Sequence, residues 1–228
     1  MTAAIQSKRT SSKNSYRKGV ETRENILNAA RKAFNRDGIA DVTCRTIAKE
    51  ADLSAGNVYY YFANKDVIIA ELRDRLEKDV TILLDHMETQ RMSDPETRHK
   101  RAVEWLTLTW TWRFLFLEIN QLIRNNPDAK PAILKIKQRS IELHEELFIE
   151  SIKESGLELT KFDKKLCHDI AVSNWILTIH GLQYIAMEND NEELSKTEFT
   201  TSMDQFLTVG RIMFDRKLQK RIGEFAAE

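Results

Sequence analysis

Three prolines and seven glycines among 228 residues leave little room for a many-stranded sheet, which needs frequent turns. The two cysteines, Cys44 and Cys167, lie far apart and fit neither a disulfide framework nor a zinc-ligand spacing. They are expected as reduced, buried thiols in a cytoplasmic protein. The most apolar run, WLTLTWTWRFLFLEI at 105–119, is broken by Arg113 and is too short to span a bilayer. The N-terminus is polar and lacks the apolar core of a signal peptide, so no membrane partner is expected. Metal-ligand clusters, Gly-rich phosphate loops and nucleophile motifs are all missing, which argues against an enzyme and against any cofactor. Charged residues make up 31% and hydrophobic residues 42%, a balance that supports a folded, soluble chain over a disordered one.

A net charge of zero hides an asymmetry. Residues 1–65 carry twelve Lys/Arg against six Asp/Glu, while the remainder carries 23 against 29. A basic head on an acidic body points to a polyanion partner for the head alone. Residues 1–20 hold Lys8, Arg9, Lys13, Arg17 and Lys18 with no acid, and read as a flexible basic arm.

Helical periodicity dominates the rest. Ile26, Ala29, Ala30, Ala33 and Phe34 form an apolar stripe on a first helix from Thr22 to Arg36, stopped by Gly38. Thr43 can cap a short helix that buries Ile47, Ala48 and Ala51, and Ser54 can cap another over 55–61. Asn64 can cap a fourth helix reaching about Met87. Longer helices are expected over 95–124, from about Pro131 to 155, over 162–188 and over 196–222. The fold class is therefore all-α.

Two short helices joined by a tight turn and braced by a first helix describe a helix-turn-helix unit. Its second helix carries Tyr59, Tyr60 and Tyr61 in succession, spread over most of the circumference. Val58 and Phe62 share the inward side, whereas Gly56, Asn57 and Tyr60 point away. Small, polar and aromatic residues without an acid suit a major groove. Gly56 allows close approach, Asn57 can pair with base edges, and tyrosine hydroxyls can reach phosphates.

Residues 22–72 resemble the DNA-binding domain of the tetracycline-repressor (TetR-like) family. The resemblance rests on Thr22-Arg23, Ile26-Leu27, Ala29-Ala30, Phe34, Gly38, Thr43, Ile47-Ala48, Ala51, Ser54, Gly56, Tyr59, Phe62 and Asn64-Lys65. It implies phosphate contacts from Thr43, Tyr59 and Lys65. Arg45, Ala55, Gly56, Asn57 and Tyr60 match positions that meet bases or the groove edge. Ser54 joins this candidate set as the cap, and Tyr61 as the occupant of a position where histidine is common. Asp52 replaces a frequent turn glycine, and Asp tolerates a left-handed backbone better than most residues. The implied organisation is an arm at 1–20, a helix-turn-helix domain at 21–66 and a helical effector-binding and dimerisation domain at 67–228.

In that body, large side chains can line a ligand cavity or simply fill a core. The candidate lining is His86, Trp105, Trp112, Arg113, Phe116, Asn174, Trp175 and Tyr184, which would suit a small, mostly apolar effector. Gly181 on one helix, with Phe199, Met203, Phe206, Gly210 and Met213 on the last, suggests a four-helix interface between two copies. The functional expectation is a homodimeric repressor released from a pseudo-palindromic double-stranded DNA operator by an effector. The alternative is a constitutive DNA-binding or adaptor protein with a filled core.

Overall fold

The computed structural model describes residues 2–89, 95–125, 127, 129–154, 158–188, 195–197 and 199–200. Among them every regular element is helical: α1 (Thr2–Asp41), α2 (Cys44–Glu50), α3 (Ala55–Tyr61), α4 (Lys65–Thr89), α5 (Pro95–Thr111), α6 (Arg113–Leu117), α7 (Ile119–Asn125), α8 (Ala129–Glu154) and α9 (Lys161–Glu188). Two compact units divide between Leu76 and Glu77, so the first half of α4 belongs with the N-terminal unit.

In that unit, short helices are set by their ends. Thr43 adopts an extended backbone; its Oγ1 accepts from the Thr46 amide at 3.2 Å while Thr46 Oγ1 accepts from the Thr43 amide at 3.4 Å. Ser54 Oγ accepts from the Asn57 amide at 3.2 Å, and Asn64 Oδ1 from the Val67 amide at 3.1 Å. Gly38 breaks α1's helical geometry at φ 79°, a backbone region open to glycine. Asp52 takes the left-handed turn position at φ 55°. α1 packs on α2 and α2 on α3, and the buried residues of the unit are Ile26, Leu27, Ala30, Ala33 and Phe34 of α1, Ile47 and Ala48 of α2, Val58 of α3, Phe62, and Ile68 and Leu72 of α4. Full burial of Phe34 or Phe62 contributes about 2–3 kcal/mol.

One expectation changes here. Residues 2–20 are helical where a loose arm was expected. No proline occurs before Pro95, and Gly19 is the sole glycine ahead of Gly38, so a helix once nucleated has little to stop it. Arg23 and Arg75 then tie α4's first half to α1. Arg23 pairs bidentately with Glu71, and Arg75 bonds Glu24 at 2.6 and 2.7 Å.

In the C-terminal unit, α8 packs on α9 and α6 on α9. Buried Ile141 and Leu143, Ile170, Ala171, Leu182 and Ile185, and Phe114, Leu115 and Phe116 form its centre. The single helix expected over 95–124 is three helices, broken at Trp112 and Glu118. Thr107 and Thr109 bond back to carbonyls four residues earlier, at 2.7 and 2.9 Å, a pattern that bends helices. Trp112 is buried and its indole N–H reaches Asp79 at 3.0 Å. Gln183 donates to the Leu117 carbonyl at 3.1 Å, satisfying α6's last turn. Most of the helix expected over 196–222 lies outside the described residues.

Candidate nucleic-acid interface

The surface of interest is built by α2, the Asp52–Leu53 turn and α3. Asn25 of α1 donates to the Ala51 carbonyl at 2.8 Å, which fixes the C-terminal end of α2. Val58 and Phe62 anchor α3 inward, and the Arg23 guanidinium lies 4.8 Å over the Phe62 ring. With that side fixed, helical geometry turns the opposite side outward.

Gly56, Asn57, Tyr59 and Tyr60 are exposed, Tyr60 at 83%. The Asn57 amide is used by the Ser54 cap, while its side chain is open to solvent. Tyr61 is half-buried, and Tyr60 meets its ring edge-on at 5.1 Å between centroids. An aromatic as exposed as Tyr60 contributes little to the fold. Thr43 and Arg45 are also exposed, whereas Ala55 is half-buried.

An open groove of about 500 Å³ is lined by Arg45, Ala48, Lys49, Asp52, Leu53, Ser54, Ala55 and Asn57. Lys49 was missed in the sequence, although it sits four residues after Arg45 and therefore on the same face of α2. Arg45 and Lys49 make no ion pair among the described residues. Nearby acids are occupied elsewhere: Arg36 bonds Glu50 at 3.1 Å and Asp37 at 2.9 Å. The Arg36 guanidinium holds the Asp37 carboxyl below its ordinary range. The groove thus presents two cations against one acid, Asp52.

Lys65 is half-buried and bonded within the protein. Its ammonium donates to the carbonyls of Ile39 at 2.6 Å, Val42 at 2.9 Å and Ala40 at 3.5 Å. In the protein without DNA these bonds hold the end of α1.

The residues of the expected effector lining differ in exposure. Trp112 and Phe116 are buried, Trp105, Arg113, Asn174 and Trp175 are half-buried, and His86 and Tyr184 are exposed. Arg113 stacks 4.2 Å over Trp110 and donates to its carbonyl at 3.2 Å. His86 Nδ1 accepts from Arg101 at 3.2 Å. His86 and Tyr184 thus stand at the protomer surface. On α9, the side opposite the core is Ser173, Ile176, His180, Tyr184 and Met187, with Met187 82% exposed.

Two interface expectations are corrected. Gly181 lies on the buried side of α9, and Phe199 is buried in its own protomer against Trp110, 5.3 Å between ring centroids. Neither offers surface to a second copy. Met203, Phe206, Gly210 and Met213 lie outside the described residues.

A family model described as bacterial regulatory proteins, tetR family, matches residues 26–72, and one described as bacterial transcriptional repressor matches residues 75–213. The chain is 30% identical over 148 residues to the uncharacterized HTH-type transcriptional regulator YdgC of Bacillus subtilis (strain 168), covering 60% of this chain and 76% of that one. It is 34% identical over 76 residues to the HTH-type nicotine-responsive transcriptional repressor HdnoR of Paenarthrobacter nicotinovorans, covering 32% and 39%. A solved TetR-family transcriptional regulator from Marinobacter aquaeolei VT8 shares the fold, with a TM-score of 0.66 at 22% identity over 82% of this chain and 87% of that one.

Proposed function

The chain belongs to the TetR family of bacterial DNA-binding transcriptional regulators, and on that premise we propose that it is a homodimeric repressor that reads a pseudo-palindromic operator with α3. The observation that carries this reading is the outward, acid-free side of α3, with Asn57 open and Tyr60 83% exposed beside the Arg45–Lys49 groove. Asn57 reads base edges; Thr43, Tyr59 and Tyr60 position the helix on phosphates and the groove wall. Two copies of α3, related by a two-fold axis, enter successive major grooves about 34–36 Å apart.

The apolar outer side of α9, with Ile176, Tyr184 and Met187, supports dimerisation through that helix. A small, mostly apolar effector then releases the DNA, because it binds more tightly to a conformer in which α4 has shifted. Trp105 and Trp175, each half-buried, are the residues that support such a site. A second reading, constitutive DNA binding without an effector, is favoured by Trp112, whose ring is buried and whose indole N–H is already taken by Asp79.

Selection of operators from random duplex DNA with the purified protein, repeated with aromatic and acyl ligands, tests these readings. The repressor reading expects an enriched inverted repeat and a ligand that abolishes the enrichment. Enrichment untouched by every ligand would favour the constitutive reading, and no enrichment at all would sink both.

A further inference from the structure

Helix α1 does not stop where the N-terminal core stops. The core begins at Ile26, yet the helix runs back to Thr2. Seventeen helical residues, 2–18, extend roughly 25 Å. They contain five Lys/Arg and no acid. Charge of one sign over such a length is not explained by packing.

The place where this extension leaves the core is specific. A Cβ added at Gly19 would meet the Tyr61 hydroxyl at 3.8 Å, so α1 passes beside the last turn of α3. Tyr16, one turn earlier and on the same side of α1, is 76% exposed. Arg9, Lys13 and Arg17 recur every four residues, a spacing of about 6 Å along a helix, close to its 3.6-residue turn. Arg17 also meets Glu21 at 3.4 Å, an exposed pair that polyanion phosphates can outcompete.

We propose that the N-terminal extension of α1 is a second DNA-contacting element, a helical arm that lays Tyr16 and the Arg9–Lys13–Arg17 stripe on duplex phosphates next to the groove occupied by α3. The proposal rests on the DNA-binding reading of α3. Its partner is the sugar-phosphate backbone, so the arm adds affinity and footprint without adding base preference. Its reach corresponds to about seven base pairs of duplex at 3.4 Å each.

The test uses the full chain and its selected duplex. In the triple variant Arg9→Gln, Lys13→Gln, Arg17→Gln, the log–log slope of affinity against salt becomes shallower by about 2–3, at about 0.9 per lost phosphate contact. The preference for the selected over a scrambled duplex is retained, and hydroxyl-radical protection shortens on the arm side. Gly19→Pro, which breaks the helix beside Tyr61, shortens the protection in the same way. Circular dichroism checks that both variants keep their helices beyond residue 20. An unchanged slope and footprint in the triple variant overturns the arm. So does binding of wild type to phosphatidylserine vesicles that the triple variant loses while its duplex slope stays the same. Wild type that prefers no duplex is a different result: it rejects the reading of α3, and the arm is then judged by the slope on random duplex alone.

Discussion

The two compact units are both helical, yet their helices end for different reasons. In the N-terminal unit the ends are written locally: Thr43, Ser54 and Asn64 each cap the helix that follows, and Gly38 and Asp52 take the positive-φ positions. In the C-terminal unit the breaks at Trp112 and Glu118 have no glycine or proline beside them. They follow from packing, from an indole that must reach Asp79 and from threonines that bond to their own helix. Local chemistry can place a small unit's turns, whereas a longer helical layer is shaped by contacts between segments distant in sequence. The same difference separates a unit whose outer side is fixed by local caps from one whose aromatic residues range from buried to exposed.

The units also differ spectroscopically. All four tryptophans follow Leu76, whereas Tyr16, Tyr59, Tyr60 and Tyr61 precede it. Tryptophan fluorescence therefore reports the C-terminal unit alone. The largest expected effect uses this. Phe62→Ala removes a fully buried ring from the N-terminal core and should cost about 3–5 kcal/mol there. Chemical denaturation followed by far-ultraviolet dichroism should show an early partial transition while the tryptophan transition stays near its wild-type midpoint. Coincident shifts in both signals would break the comparison and show the two units to be one cooperative body.

Next come the substitutions that separate reading from holding. Asn57→Ala should lose about 1–3 kcal/mol of base discrimination in duplex competition and leave the melting temperature unchanged, because that side chain is open to solvent. Lys65→Ala should do the reverse. It strips three carbonyls at the end of α1 of their donor and should destabilise the N-terminal unit by about 1–3 kcal/mol, while the salt slope of DNA binding stays as in wild type. A slope reduced by about one unit in a fully folded Lys65→Ala protein would return this residue to the phosphate contacts.

The smallest expected effect is a difference in pH response. Burial pushes the His144 imidazole down, opposed by the weaker influence of the Ser140 carbonyl, which accepts from Nδ1 at 2.7 Å. Its neutral form is favoured in the fold, so this contribution is complete above about pH 6.5 and is lost as pH falls below it. In the N-terminal unit the Arg75 guanidinium holds the Glu24 carboxyl below its ordinary range. That contribution persists above the ordinary carboxylate range and is lost only as pH falls through Glu24's lowered value. Mild acid should therefore weaken the tryptophan-reported unit first, and His144→Phe should flatten its dependence between pH 7 and 5 (roughly the imidazole range). Equal sensitivity of wild type and His144→Phe would contradict the assignment.

The reading head was largely legible in the sequence because each device is short-range. A cap acts over three residues, and the inward pair Val58 and Phe62 determines where Tyr60 points. The bonds from Lys65 were not legible, because its partners, the carbonyls at the end of α1, lie more than twenty residues away in sequence and expose no side-chain signal. Phe199 and Gly181 followed the helical period yet turned inward, since periodicity marks an apolar side without saying whether its own chain already covers it. Tyr184 lies on the exposed side of α9 with Ile176 and Met187, a placement that helical period alone does not fix. The arm's helicity was hidden by its composition, because Ser- and Lys-rich segments read as loose when no breaker is weighed against them.

The central claim is that the outer side of α3 reads DNA while the body holds two copies at a fixed spacing. A crystal structure of the protein with its selected duplex tests that claim most directly. The account predicts Asn57 at base edges and Tyr60 at the groove wall in two successive major grooves, with α9 of each protomer against its mate. A duplex seated on any other surface, with α3 turned to solvent, would contradict it.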